Sequence, residues 1–131
     1  MATAVTICDE ATVGGPKRTF VLSLASERLT VRELIIRRVT HEVDEYNKTR
    51  TEVYAGLVQP TDAEVTLNGF RVKERRAIDV RQQCDKALEA FGRNGFLLLV
   101  NGRQLTELDD PVVVTPGAEV RFVKLIPLVG G

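Results

Sequence analysis

The longest periodic segment of the chain is an amphipathic stretch that begins at Thr30. Glu33 follows three residues later, and this spacing forms a capping box, in which two side chains satisfy backbone donors at a helix start. Apolar residues then recur at spacings of three and four, typical of one helix face: Val31, Leu34, Ile35, Val39, Val43 and Tyr46. The charged residues Arg32, Arg37, Arg38, Glu42 and Glu45 are assigned to the opposite, solvated face. One long helix with one buried side is therefore expected.

Strand patterns flank this helix on both sides. Residues 3–8 and 19–24 are β-branched or alternating runs, separated by a turn rich in Gly and Pro at 13–17, so a hairpin is predicted before the helix. The continuous apolar run Phe96–Val100 predicts a central strand, and Asn101-Gly102 a turn after it. A short extended piece at 112–114 and a last strand at 119–125 complete the pattern, which is that of an α+β protein.

The segment from 50 to 94 carries a second hairpin and a second helix. Asn68-Gly69 indicates a tight turn between two short strands, because such turns need positive φ. Asp79 and Gln82 have capping-box spacing, and apolar residues keep helical spacing from 80 to 91. We expect a helix there.

Composition and charge exclude several classes of protein. Lys plus Arg equals Asp plus Glu at 18 each, so the chain has no net charge to hold a nucleic acid by counterion release. No stretch reaches the roughly 18 apolar residues of a membrane span, and residues 1–10 lack the pattern of a signal peptide. A soluble cytoplasmic protein is expected. Two cysteines, Cys8 and Cys84, and one histidine, His41, do not make a metal site, so no metal is predicted.

Catalytic motifs are absent from the sequence. It contains no phosphate-binding glycine loop and no nucleophile beside a histidine, and its adjacent acids, Asp9-Glu10 and Asp109-Asp110, are interpreted as solvated loop charges. An autonomous enzyme is not expected. The basic run at 71–76 is interpreted as a solvated connection, with an acidic or phosphate partner as the alternative. His41 is expected at a boundary position, and both cysteines are expected to be buried thiols.

The sequence ends in Gly130-Gly131, which follows the apolar residues of the last predicted strand. Without a Cβ, this diglycine can enter a narrow channel and leave its terminal carbonyl open to a nucleophile. The four residues 128–131 would reach roughly 13 Å if extended. The alternative is a frayed end without a function.

These features together resemble the β-grasp family of ubiquitin and of the sulfur carriers of molybdopterin and thiamine synthesis. The resemblance covers about 3–47 and 96–131: a hairpin, a capped helix, the strand and turn through Asn101-Gly102, a last strand and the diglycine. Pro127-Leu128-Val129-Gly130-Gly131 looks like a sulfur-carrier tail, whereas the segment 101–105 looks more like ubiquitin. The resemblance implies one β-grasp domain over 1–131, with an insertion at 50–94 and a flexible tail at 126–131.

The resemblance also implies a function. A ubiquitin-activating-type enzyme would thread Pro127, Leu128, Val129 and Gly130 to its ATP, and the Gly131 carboxylate would be adenylated. The chain itself would bind no cofactor. A modifier would pass the acyl group to target proteins, with a conjugating enzyme and a tail-processing protease as possible further partners. The alternatives are a sulfur carrier that forms a thiocarboxylate and a non-covalent adaptor. Five lysines could accept a further tail, and none is distinguished: Lys17, Lys48, Lys73, Lys86 and Lys124.

One sheet face is a possible partner surface. Phe96, Leu98 and Val100 can face the long helix, which leaves Leu97 and Leu99 on the other face. Val123 and Leu125 of the last strand share that side. An uncovered apolar patch of this kind marks a binding surface. The alternative is that the second helix covers it, because continuous apolar strands are usually buried on both faces.

Overall fold

A five-stranded mixed sheet forms around the first and last strands. The structure, a computed structural model, describes residues 3–11, 17–66 and 69–125. Its elements in chain order are β1 (Thr3–Ala11), β2 (Arg18–Leu24), β3 (Arg28–Thr30), α1 (Val31–Thr49), β4 (Ala63–Thr66), β5 (Gly69–Val72), α2 (Val80–Gly92), β6 (Phe96–Val100), β7 (Arg103–Leu105), β8 (Pro111–Val113) and β9 (Glu119–Lys124). The main sheet has the order β2-β1-β9-β6-β7. The chain is therefore α+β, as predicted.

The parallel pairing of β1 with β9 lies in the middle of this sheet. Ile7 aligns with Val120, and Asp9 aligns with Phe122. β2 and β6 then pair antiparallel on the outer sides of β1 and β9, and β7 forms one edge. β6 is an interior strand, as its apolar run predicts. The turn from β6 to β7 uses Asn101 at φ 50° and Gly102 at φ 85°, which is the positive-φ geometry expected of Asn-Gly.

Helix α1 begins at the predicted capping box. The Thr30 hydroxyl accepts from the Glu33 backbone N–H at 3.2 Å, and the Glu33 carboxylate accepts from the Thr30 N–H at 3.1 Å. The N–H groups of Val31 and Arg32 donate to carbonyls of Asp110 and Leu108. The loop before β8 thus satisfies part of the backbone N–H donors in the first turn of the helix. Strand β8 itself pairs with β3 beside the helix start. The sequence pattern did not predict β3.

Residues 50–94 pack on the helical side of the sheet. β4 and β5 form a separate two-stranded ribbon, and Tyr54 exchanges backbone hydrogen bonds with Phe70 of β5. Helix α2 begins at Asp79, whose carboxylate accepts from the Gln82 N–H at 3.0 Å. The Gln82 side chain instead accepts from the Thr61 hydroxyl, so only one of the two hydrogen bonds of the predicted capping box forms. Two predicted turns lie partly outside the described residues: the Asn68-Gly69 turn at residues 67 and 68, and the first turn at residues 13–16.

Both helices lie on the same face of the sheet. The α1 apolar residues predicted to be buried are all in the core, and Phe91 of α2 packs against Phe96 of β6 with ring centroids 5.7 Å apart. Phe96 shares its face with Leu98, Val120 and Phe122, which are fully buried. No helix in the described part of the chain is long and apolar enough to span a membrane.

The assignment of Arg38 and Glu42 to the solvated face of α1 was wrong. Arg38 is completely buried, and its guanidinium binds both carboxylate oxygens of Asp9, one at 2.6 Å. It also donates to Glu42 at 3.2 Å, and its Cζ lies 4.4 Å from the ring centroid of Phe122. The interpretation of Asp9 as a solvated loop charge was wrong too, because Asp9 lies in β1 and is 6% exposed. We call Asp9, Arg38 and Glu42 the buried ion cluster.

Glu42 extends the buried ion cluster to the segment 50–94. One of its carboxylate oxygens accepts from the Tyr54 hydroxyl at 3.2 Å and from the Leu57 backbone N–H at 3.0 Å. Burial alone would lower the pKa of Arg38, but the carboxylates of Glu42 and Asp9 outweigh it, so that pKa is raised and the guanidinium stays charged. The cluster therefore joins β1, α1 and the loop around Tyr54.

Replacing Arg38 by Met should lower the free energy of unfolding by about 3–5 kcal/mol, because it leaves two buried carboxylates without their cation. The measurement is urea unfolding followed by circular dichroism. Arg32→Met is the matched control: Arg32 lies on the exposed side of α1, and its loss should change stability by less than about 0.5 kcal/mol. Equal effects of the two substitutions would contradict the importance of the cluster.

Candidate functional site

The sheet face opposite the helices carries the residues predicted as a partner surface. Leu97 pairs in register with Val123, Leu99 is two residues further along β6, and Leu125 directly follows β9. The structure brings these four side chains to one side of two neighbouring strands. We call Leu97, Leu99, Val123 and Leu125 the apolar patch.

Helix α2 does not cover the apolar patch. It packs against α1 and the opposite face of β6, where Phe91 meets Phe96. All four side chains of the apolar patch are only half-buried, and none of the described side chains on this sheet face is buried. Val21 of β2, on the same face, is 65% exposed. The sequence left open whether this face is an uncovered partner surface or is buried by the second helix. For the described residues, burial by the second helix is wrong.

Charged side chains border the apolar patch on β1 and β9. Arg121 lies between the patch and β1, and contacts Glu119 at 3.1 Å and Glu10 at 3.6 Å. Lys17 approaches Glu10 at 3.5 Å. A half-buried apolar centre with a charged border is the usual anatomy of a protein interface, in which the apolar side chains supply affinity and the border supplies specificity.

The end of the last strand is fixed by two contacts with neighbouring segments. The Leu125 backbone N–H donates to the Gly95 carbonyl at 3.2 Å, and Lys124 Nζ donates to the Gly56 carbonyl at 2.8 Å. A Cβ on Gly56 would collide with the ring of Tyr54, so this close approach requires glycine. The predicted tail residues Pro127, Leu128, Val129, Gly130 and Gly131 lie outside the described residues.

The sequence does not distinguish Lys124 from an ordinary surface lysine, but the structure does. The Lys124 side chain is half-buried on the helical side of the sheet, and burial lowers its pKa from the ordinary 10.5, against the influence of Asp9. Lys17, Lys48 and Lys73 are exposed and Lys86 is half-buried. Burial and the bond to Gly56 argue against Lys124 as an acceptor of another tail.

The remaining candidates fall into ordinary structural positions. His41 is half-buried and stacks on Phe20 with ring centroids 5.7 Å apart. Cys84 is buried as expected, whereas Cys8 is half-buried on the open sheet face, and both thiols are free. Asp109 is exposed near Arg32. In the basic run at 71–76 the charged side chains are exposed and Val72 is buried. The described residues contain no group of three or more acids, histidines or cysteines able to hold a metal.

Replacing Lys124 by Met should change how stability depends on pH. Because the pKa of Lys124 is lower in the folded protein, the unfolded chain binds the extra proton, and the contribution of this group to stability rises with pH up to about 10.5. The free energy of unfolding of the wild type, relative to that of Lys124→Met, should therefore increase between pH 7 and 10.5. Chemical unfolding across this range tests it, with Lys48→Met controlling for the lost charge. A constant difference would contradict it.

Comparison of the chain with models of protein families, with curated protein sequences and with solved structures found no match in any of the three. No family membership follows from these comparisons. The function is therefore inferred from the residues and their geometry: an open apolar patch, a charged border, and a last strand whose end is held by Lys124.

Proposed function

We propose that this protein is a β-grasp, ubiquitin-like protein modifier, whose Gly131 carboxylate is adenylated by a ubiquitin-activating-type enzyme and then conjugated to target proteins. The oxygen of the carboxylate would attack the α-phosphate of ATP held by that enzyme, with pyrophosphate as the leaving group. A nucleophile of the enzyme would then displace AMP from the acyl adenylate, and a nucleophile of the target would afterwards displace the enzyme's nucleophile from the acyl group. This chain supplies the carboxylate and the surface by which the enzyme holds it.

The observation that carries the proposal is the parallel pairing of β1 with β9 in the middle of the sheet, with α1 across one face. The resemblance rests on an initial hairpin, a capped helix, the strand and turn through Asn101-Gly102, a last strand and the diglycine, and the structure adds that the last strand pairs beside the first. Residues 50–94 add a ribbon and α2 on the helical side without entering the main sheet. The order β2-β1-β9-β6-β7 is thus compatible with a β-grasp domain that carries an insertion.

The open sheet face supports the same proposal independently. An activating enzyme must hold its protein substrate while the tail reaches the nucleotide, so a docking surface beside the last strand is required. The apolar patch lies on β6 and β9, and Leu125, its last member, immediately precedes the tail sequence. The docking surface and the reacting group would therefore belong to one continuous strand end.

A sulfur carrier is the second candidate, favoured by Pro127 in the tail sequence. It would share the adenylation step, after which sulfur would replace one oxygen of the Gly131 carboxylate. An adaptor that binds partners through the apolar patch without covalent chemistry is the third. The modifier is preferred because the additional ribbon and α2 enlarge the body beyond what presentation of a tail requires.

Incubation with an extract of the source cells and ATP separates the three candidates. For a modifier we expect larger, ATP-dependent covalent adducts on gels, with a Gly131-derived remnant on target lysines by mass spectrometry. A carrier instead gains one sulfur in exchange for oxygen, and an adaptor keeps its mass. Deletion of Gly131 should abolish both covalent outcomes. Adducts formed by the truncated protein would overturn the assignment of the tail.

The apolar patch should be needed for activation. Leu99→Ser should reduce ATP-dependent adduct formation at least several-fold, because it removes apolar contact area from the docking surface. Val113→Ser is the matched control, since Val113 is a 61% exposed aliphatic residue of β8, outside the main sheet. Thermal unfolding of both variants verifies that they remain folded. Equal adduct formation by the two variants would contradict a docking role for the patch.

A further inference from the structure

Strand β2 forms one edge of the main sheet, and β1 is its only neighbour in the part of the chain that the structure describes. The direction of its backbone groups follows from the register. The Thr6 N–H donates to the Ala118 carbonyl, so Thr6 faces β9. Val21 lies opposite Thr6 and therefore makes no ladder hydrogen bond to β1. Since the direction alternates along a strand, Thr19, Val21 and Ser23 direct their N–H and C=O groups away from the sheet.

The backbone groups of these three residues form what we call the open edge of β2. One hydrogen bond reaches it within the described residues, from Arg37 Nε to the Ser23 carbonyl at 3.2 Å. That carbonyl has a second lone pair for another donor. The side chains of Thr19, Val21 and Ser23 are exposed, Val21 to 65%. An exposed row of unpaired N–H and C=O groups is a template on which another strand can form.

The open edge lacks the features by which proteins usually prevent such pairing, which are charged side chains, proline and β-bulges. Residues 19–24 include no charged residue and no proline. The seven residues of β2 pair with β1 in continuous register, without a bulge. The other edge of the sheet is different, because β7 has three residues and begins with Arg103. β2 is therefore the edge at which an added strand fits best.

The sequence of β2 is complementary to itself in one antiparallel register. With a two-fold axis at Val21, this residue faces its own copy, and Thr19 faces Ser23 of the second copy. On the other side of the sheet, Phe20 faces Leu22. All three outward residues then exchange N–H···O=C bonds with the second copy. Pairs of β-branched residues and of threonine with serine are favourable across strands, and no like charges lie opposite each other between 19 and 23.

We propose that two copies of this protein associate through the open edge of β2, antiparallel about a two-fold axis at Val21, so that their two five-stranded sheets become one. The contact is closed, because it uses the same edge of both copies. It consists of a single strand pair and is smaller than a standard interface, so the dimer is weak and reversible. The apolar patch lies on β6 and β9, separated from β2 by β1, and stays outside this contact. The dimer does not depend on the tail chemistry proposed above, and either can fail without the other.

Sedimentation equilibrium of the full chain, from roughly 10 μM to about 1 mM, covers the affinities of weak complexes. We expect the mean mass to rise with concentration toward that of two chains. Amide hydrogen exchange by NMR then locates the contact, because the Val21 N–H should exchange more slowly at the higher concentration. Gln104 is the control at the other edge: it lies opposite Leu99, which faces β9, so its N–H also points away from the sheet. Its exchange should not change.

Val21→Lys should weaken the dimer about 5-fold or more, because it removes the valine pair and places two like charges opposite each other on the axis. Val65→Lys is the matched control, since Val65 is a 70% exposed valine of β4, outside the main sheet, and it should leave the dimer unchanged. Circular dichroism verifies that both variants remain folded. A wild type that stays monomeric, equal effects of the two substitutions, equal slowing of exchange at Val21 and Gln104, or masses that grow beyond two chains would overturn the proposal.

Discussion

The buried guanidinium of Arg38 is the interaction on which the arrangement of the chain depends. Transfer of a single charge into a protein interior costs several kcal/mol, and only close pairing with further hydrogen bonds compensates it. Arg38 has this pairing on two sides, with Asp9 of the sheet and Glu42 of its own helix, and it lies over the ring of Phe122. Glu42 in turn holds Tyr54 and Leu57. Because one charge cannot be satisfied without the others, the position of α1 on the sheet and the position of the loop around Tyr54 are set together.

This coupling gives the two faces of the sheet different roles. Residues 50–94 are held on the side of the buried charges by Glu42, and α2 packs against α1 and Phe96. On the other side of β1, Glu10 contacts Arg121 and Lys17 within its own face. None of the residues that the structure describes buries the apolar patch, even though β6 is apolar at every position. The composition of β6 predicts burial on both faces, but the helices cover only the face that carries Phe96 and Leu98.

The sequence predicts the parts of this fold that depend on neighbouring residues. The capping box of Thr30 and Glu33, the positive φ of Asn101-Gly102 and the four members of the apolar patch all follow from local spacing. The pairing of Arg38 with Asp9 does not, because the residues are 29 positions apart and pattern reading assigns charges to solvent. Signals did exist: Asp9 continues the buried alternation of Thr3, Val5 and Ile7, and Arg38 lies four residues after Leu34. The approach of Phe20, His41 and Tyr54 was not predicted either, since these residues come from three separate segments: β2, α1 and the loop after α1.

The start of β2 and the end of the last strand share one structural support, the loop from Tyr54 to Leu57. The Ala55 carbonyl accepts from Arg18, the Gly56 carbonyl accepts from Lys124, and the Leu57 N–H donates to Glu42. Displacement of this loop would break contacts to β2, β9 and α1 at once, and would leave the carboxylate of Glu42 short of donors in a buried position. Such a loop has little freedom to move by itself, so the start of β2, the end of β9 and the middle of α1 keep fixed positions relative to one another.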